Sequence, residues 1–531
     1  MARNRKGLTA GVIVIGIVLC ALIVGYFLRS FFIKDLQSDR NIVSDTEDTQ
    51  TDQIFPDDLL PKNIVIGKQI PDALFQMSDG SSVHIDELVS LSSEGVWLSF
   101  PGENAEDSET PAEIRALCEA ENISVFRVVQ NVPKNDAMPY LIDLQGACLS
   151  EWGVDSLPSD VILDHRGKVL GYHAGPFKPG EAKGMLKRVR SGRTSVNFAF
   201  IERVMSDGNG GFYTNTAAKG DSPSGKDVLS ESQGLVMMYA LTANDPELFS
   251  KTWIFTKEHL LSHGLAAWYV SEDGKQANVN AFLDDVRIWF ALYRAGTIFD
   301  ETYAKEAEEM LKAIKSRCLD KKRRPVDFSY LSGSEQADVI SLHYLDLEAM
   351  QAMKEADPDF ETAYNSAVNI LQDGRISDEF PLYYRNYDYT TRSYDPGSLN
   401  TAEALYTLWH LSRAGLLPDE ALDWLKERVM AGSLAARYKT NGDVVPGYDY
   451  HSTAVYALAA LIAREAGDDE LFEMALRRME RKLILDADDE LFGAYSQKGA
   501  VIYSFDQLMP LLVNALLDRD LTAEETADGK Q

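Results

Sequence analysis

The sequence predicts a multidomain protein: an N-terminal transmembrane helix, a small α/β domain and an all-α toroid of six paired helices. Three observations predict it. Residues 8–28 form an uncharged apolar run, and residues 64–192 alternate short strand-type and helix-type patterns. Residues 193–519 then repeat the i, i+3, i+4, i+7 apolar spacing of amphipathic helices.

The apolar run from Leu8 to Leu28 spans ~30 Å at ~1.5 Å per helical residue, enough to cross a bilayer core. Arg3, Arg5 and Lys6 precede it, which places the N-terminus in the cytoplasm and the bulk of the chain outside. A cleaved signal peptide would carry a shorter apolar core, ~7–15 residues, ending in small residues. Residues 1–29 therefore read as cytoplasmic tip and single-pass cell-membrane anchor. Residues 30–63, rich in Asp, Ser, Thr and Gln, read as a polar linker, and residues 520–531 as a polar tail.

The 531 residues include 52 basic and 82 acidic side chains, a net charge of −30. Such a surface repels nucleic acid and anionic lipid and leaves neutral or cationic ligands. The four cysteines, Cys20, Cys118, Cys148 and Cys318, form no CxxC or Cys/His cluster. No metal or cofactor is expected from them. Cys118 and Cys148 are either a disulfide or two buried thiols.

In residues 64–192, Val96–Phe100 (VWLSF) and residues 123–129 (ISVFRVV) are strand-type runs separated by the helical spacing of PAEIRALCEA. Residues 161–173 read as two strands around a turn at Asp164–Gly167. The segments IPDALFQMSDGSSVHIDEL, VWLSF and WGVDSLPSDVILDHRGKVL resemble the thioredoxin-like redoxins of cell envelopes. That resemblance implies Pro158 as the family's cis-proline. Where the family places its two cysteines, this chain reads Ala105, Glu106, Asp107, Ser108. Without a thiolate nucleophile the domain is expected to be redox-inactive, a spacer or docking module.

About twelve helices are expected in residues 193–519, starting near residues 195, 230, 246, 280, 300, 337, 358, 398, 417, 450, 468 and 503. Breakers such as Gly208-Asn209-Gly210-Gly211, Asp273-Gly274 and Pro396-Gly397 separate them. Paired helices without long strands suggest a closed six-hairpin ring. An open α-solenoid is the alternative, although no repeat of fixed period is visible.

Acidic and aromatic residues gather at the expected helix starts and long connections. Glu231 and Gln233 open one helix, and Trp268 follows a helix end. Asp284 and Asp285 lie in the first turn of another, and Tyr387, Asp388 and Asp395 fall in the tyrosine-rich segment 381–395. Carboxylates beside flat rings suit sugar chemistry: one carboxyl group protonates the glycosidic oxygen, another activates water, and aromatic faces stack on pyranose rings. Acids in a first turn also simply complement the helix dipole, Trp268 also suits a core, and the tyrosines also suit a half-buried hairpin.

The segment from Ser230 (SESQGLVMMYAL) to Gly274, continuing as NAFLDDVRIWFALYRAG, resembles glycoside hydrolase family 8. ADVISLHYLDLEAM and AYNSAVNILQDG resemble that family's later helices. The resemblance implies an (α/α)6 barrel and inverting cleavage of β-1,4-linked polysaccharide. It makes Glu231 the general acid and Asp284 or Asp285 the aspartate that holds the sugar. The family's Y-D-A-x-R signature, which carries its base, would fall near Ser398-Leu399-Asn400, where no aspartate stands; Asp388 or Asp395 is the substitute expected. Gln233, Trp268, Tyr387 and Asp395 are expected sugar contacts. A membrane-held hydrolase of a β-linked polysaccharide, an exopolysaccharide being one candidate, is the function this implies. The alternative is a catalytically impaired binding or scaffold protein of an envelope or exopolysaccharide assembly, whose proteins would be its partners.

Overall fold

The computed structural model describes residues 63–528, apart from 102–109, 133–138, 155–157, 219 and 498. The expected anchor (residues 8–28), nearly all of the linker and the Ala105–Ser108 segment lie outside the described residues. Among the described residues no helix is long and apolar enough to cross a membrane.

The first part is a seven-stranded sheet. Its strands are β1 (Leu74–Met77), β2 (Ser82–His84), β3 (Val96–Phe100), β4 (Ser124–Val129), β5 (Tyr140–Asp143), β6 (Ser159–Leu163) and β7 (Val169–Ala174). Their order is β2-β1-β5-β4-β3-β6-β7. The β3–β4 and β4–β5 pairs are parallel and the others antiparallel. Four helices accompany the sheet: α1 (Ile85–Ser90), α2 (Thr110–Ala120), α3 (Ala147–Ser150) and α4 (Glu181–Ser191). The β6–β7 turn falls where the sequence places it. Asp164 Oδ1 accepts the backbone N–H of Arg166 and Lys168, and Gly167 takes φ +85°, a conformation that costs glycine little. Helices α2 and α4 cover one face of the sheet through Trp97, Ile114, Cys118, Ile162 and Met185. Cys118 and Cys148 are not paired; both are free and buried. Burial pushes the Cys118 thiol up to about 12 and Cys148 higher still.

Twelve α-helices follow among the described residues: α5 (Arg193–Val204), α6 (Ser230–Thr242), α7 (Pro246–His259), α8 (Phe282–Ile298), α9 (Thr302–Arg317), α10 (Leu347–Ala356), α11 (Glu361–Asp373), α12 (Thr401–Arg413), α13 (Asp419–Met430), α14 (Thr453–Ala466), α15 (Asp469–Glu480) and α16 (Phe505–Asp528). Helices α6, α8, α10, α12, α14 and α16 pack each on the next, and α16 returns to α6. The ring is closed, so the open solenoid is excluded. Helices α5, α7, α9, α11 and α15 form an outer layer, each on one inner partner, and α13 completes it between α14 and α15. Inner helices are buried nearly all round: from Thr453 to Ala463 every residue of α14 is buried. Outer helices bury one stripe, as α9 does with Ala307, Met310, Leu311 and Ile314.

One expected start is displaced. The helix anticipated near residue 337 begins at Leu347, because Val339–Ser341 forms a strand paired with Asn386–Asp388. That pairing, extended to Ser393–Tyr394, makes the tyrosine-rich segment a hairpin.

Sheet and ring are joined tightly. Gly184 of α4 lies against the backbone of Leu485, where an added Cβ would come within 1.6 Å of the Leu485 carbonyl oxygen. Around it Arg188 donates to Glu480 (2.5 Å), Lys183 to Asp488 (2.6 Å), and Arg193 of α5 to the Leu170 carbonyl (2.8 Å).

Candidate active site

The chemistry-bearing residues collect where inner helices begin. Residues Val228–Leu229 pair with Tyr269–Val270, which brings the Trp268 carbonyl onto the start of α6. Ser230 donates to that carbonyl through its backbone N–H (3.0 Å) and its hydroxyl (3.2 Å). Glu231, one residue on, is half-buried, and its carboxyl group has no hydrogen-bond partner among the described residues. Desolvation, and then the negative charge of Asp284, push its pKa up to about 7; Arg287 acts in the other direction.

Helix α8 separates the two neighbouring aspartates. Successive helical residues point about 100° apart, so one can face the site while the other faces the core. Asp284 accepts from the Ser230 hydroxyl (2.6 Å) and from Arg287 Nη1 (3.0 Å), and Arg287 Nη2 donates to the Tyr406 hydroxyl of α12 (3.0 Å). Burial opposes the Arg287 charge, but Tyr406, Asp284 and Glu231 more than offset it and raise its pKa. Asp285 points away from this chain. It accepts from the Ala266 N–H (2.7 Å) and Asn280 Nδ2 (2.6 Å), and burial lifts its pKa to about 8. Of the two, Asp284 is the one on the Glu231 cluster, and Asp285 ties α8 to the preceding loop.

A second group reaches the cluster from the turn before α10 and the start of α12. Burial and the charges of Asp327, Asp284, Glu231 and Glu403 all raise the pKa of Tyr344. Glu403 thus shares an electrostatic neighbour with Glu231. It is half-buried, its Oε2 Å-scale neighbour on the charged side is Arg385 Nε at 3.5 Å, and Oε2 has no hydrogen-bond partner. Asp327, by contrast, accepts from the Ser341 N–H (2.6 Å) and hydroxyl (2.9 Å). Asp346 is held by Arg413 at 3.0 Å and sits at about 2, burial being overcome by the charges of Arg413 and His410. Glu231 and Glu403 are therefore the carboxylates of this cluster left open for chemistry.

Three expected site residues, Gln233, Asp388 and Asp395, serve the scaffold instead. Gln233 is fully buried; its Oε1 accepts from Phe212 N (3.1 Å) and its Nε2 donates to Gly210 O (2.8 Å) and Thr256 Oγ1 (3.2 Å). Its amide clamps the Gly208–Gly211 loop. Asp388 receives the N–H groups of Thr390 and Thr391 at the hairpin turn, and these bonds, more than burial, hold its pKa low. Asp395 accepts from Gly397 N (2.9 Å). Tyr387 packs on Tyr394 and Tyr389 in the same hairpin. Trp268 is half-buried at the edge of the Glu231 cluster, its ring against Tyr269.

Arg287, Tyr344, Tyr406 and Glu403 were not expected from the sequence. Glu403 carried a signal: Asn400 followed three residues later by Glu403 has the pattern of a capping box. Asn400 does cap α12, accepting from Ala402 N (2.9 Å) and Glu403 N (3.4 Å). The Glu403 side chain turns to Arg385 rather than back to the cap.

The sequence family Glycosyl hydrolases family 8 matches residues 208–322. The chain carries a family 8 glycosyl hydrolase domain. It is a glycosidase, and the matched stretch of the family 8 domain holds Glu231, Asp284 and Arg287 but ends before Glu403. A relative named "Putative lipoprotein YdaJ" from Bacillus subtilis (strain 168) is 29% identical over 302 residues, 56% of this chain and 80% of that protein. A solved structure described as a novel alpha-amylase from Clostridium perfringens is 30% identical, with a TM-score of 0.57, covering 61% of this chain and 97% of that one. PssZ from Listeria monocytogenes is 19% identical with a TM-score of 0.48, covering 62% of this chain and 96% of that one.

Proposed function

We propose that the protein hydrolyses glycosidic bonds of a polysaccharide with inversion, Glu231 donating the proton and Glu403 accepting one from the attacking water. The observation that carries this reading is Glu231: a half-buried carboxyl group with no partner and a pKa raised to about 7. A group so poised holds its proton near neutrality and can pass it to the leaving oxygen. Glu403, whose Oε2 lies 3.5 Å from Arg385 Nε without a hydrogen bond, is the second carboxyl group of the cluster and the one assigned to the attacking water. Asp284, Arg287 and Tyr406 form a fixed chain that orients the cluster and gives Asp284 no freedom to move from Glu231.

The sequence resemblance favours a β-1,4-linked polymer, an exopolysaccharide of the producing cell included. The 30%-identical α-amylase relative favours an α-linked glucan instead. Incubating the full chain with α- and β-linked polysaccharides and following new reducing ends separates the two. Glu231→Gln is expected to lower kcat by about 10²–10⁴-fold with the helical circular dichroism unchanged. Binding without cleavage in the wild type would replace hydrolysis by the scaffold reading.

Residues 8–28 are proposed to hold the enzyme at the cell membrane with its ring outside, a placement the lipoprotein name of the relative supports. Residues 64–192 are proposed to be a redox-inactive thioredoxin-like domain. Its β4-β3-β6-β7 order, with one parallel and two antiparallel pairs, supports that. Protease accessibility on whole cells tests the first proposal, and absence of disulfide reductase activity the second.

A further inference from the structure

A cavity lies on the outside of the ring. It encloses about 580 Å³, within the range of small-molecule sites, between the exposed face of outer helix α11, the 320–325 turn and the 386–394 hairpin. Its lining comes from these three elements and from none of the inner helices, so it is separate from the Glu231 cluster.

Its side chains suit an acidic sugar. Asn365 and Asn369, one turn apart on α11, both line it, and neither side chain has a hydrogen-bond partner among the described residues. Tyr387 adds a half-buried ring, packed at 4.9 Å on Tyr394, with a hydroxyl group that is likewise without a partner. Arg324 forms a fixed wall, 3.9 Å above the Tyr389 ring and paired with Asp320. The remaining cations, Lys322 and Arg392, are exposed and have no carboxylate partner among the described residues, in a chain whose net charge is −30. Asp373 is the single carboxylate of the lining. Arg392 also takes φ +57°, where glycine or asparagine would sit with less strain. Unpaired cations beside amides and an open tyrosine make a place for carboxylate, hydroxyls and ring of one glycan unit.

We infer that this cavity is a non-catalytic holding site for a uronic-acid unit of an acidic polysaccharide, with Lys322 and Arg392 on the carboxylate, Asn365 and Asn369 on the hydroxyls and Tyr387 under the ring. The inference rests on the polysaccharide reading above, and it departs from what the overall negative charge suggests because the basic patch is local.

The test is calorimetric titration of the full-length Glu231→Gln protein with a galacturonate hexamer, a cellohexaose, a maltohexaose and sodium phosphate. The uronate hexamer is expected to bind, and Lys322→Ala/Arg392→Ala to weaken it at least tenfold. Asn365→Ala/Asn369→Ala, which leaves the charges in place, is expected to weaken it several-fold. No uronate binding, binding indifferent to the loss of the two cations, binding indifferent to the loss of the two amides, or displacement by millimolar phosphate would each overturn the assignment. Because binding is read without turnover, reducing ends released by the Glu231→Gln protein would count against Glu231 as the acid alone and leave the holding site untouched.

Discussion

The sheet and the ring differ in how fully they match their carboxylates. In the sheet, Asp143 accepts the N–H groups of Ala147 and Cys148 at 3.0 Å each, and Asp160 accepts Trp97 Nε1 at 2.7 Å. Both groups are matched, and their work is to hold loops and strands. In the ring, Asp284, Asp285, Asp327 and Asp346 are matched in the same way, whereas Glu231 has no hydrogen-bond partner among the described residues and Glu403 Oε2 and Glu473 Oε2 are buried without one. Leaving a buried polar atom unmatched costs about 1–3 kcal/mol, so a fold tolerates it where something other than stability is served. Glu473 is nonetheless tied to Arg477 through its other oxygen at 2.8 Å, so Glu231 and Glu403 are the carboxylates on which the contrast rests.

The comparison breaks first at Glu403. Glu403→Ala is expected to lower kcat by about 10²–10⁴-fold, with azide restoring turnover by taking the place of the activated water; a near-normal rate in initial-velocity assays would return Glu403 to the scaffold. Next, Gly184→Ala forces a Cβ onto the Leu485 carbonyl, and thermal unfolding should show a loss of about 1–3 kcal/mol. The aspartate pair then sharpens the contrast through pH. The rate should fall as pH rises through about 7 and Glu231 loses its proton. Asp284→Asn removes a charge that raises the Glu231 pKa, so this limb should move to lower pH in kcat–pH profiles. Asp285→Asn should instead act on stability. Asp285 is held protonated up to about 8 when folded and ionises near 3.8 when unfolded, so the native state binds the extra proton between those values. Stability of the wild type should therefore fall as pH rises from about 4 to about 8, and urea titrations of Asp285→Asn should lose that slope. The smallest effect expected is Asn400→Ala, about 1 kcal/mol from the lost cap of α12.

Helix periodicity made most of the ring legible, because eleven of the twelve starts depend on local apolar spacing and turn residues. The start near 337 did not, since Val339–Ser341 becomes a strand only by pairing with residues some forty-five positions later. Candidate site residues were legible where a side chain stands at the mouth of a helix, as Glu231 does. Adjacent Asp284 and Asp285 could not be told apart, because rotation about α8 decides which faces the cluster. Gln233 misled for a related reason: an amide beside a candidate acid looks like a sugar contact until the loop it clamps is seen. Glu403 was hidden by a motif with an innocent purpose, and only the folded chain shows its side chain turned to Arg385, eighteen positions earlier, instead of to the cap.

The closure of α16 on α6 has a consequence for how the enzyme is made. The helix that presents Glu231 is flanked on one side by α8 and on the other by the last helix of the chain, with Ser232 and Ser504 hydroxyls 3.0 Å apart and Ile502 N donating to Thr216 Oγ1. During synthesis the first inner helix must wait, one flank bare, until the final one leaves the ribosome. A chain shortened before Phe505 would hold every carboxylate of the cluster and still lack the wall that keeps Glu231 in place.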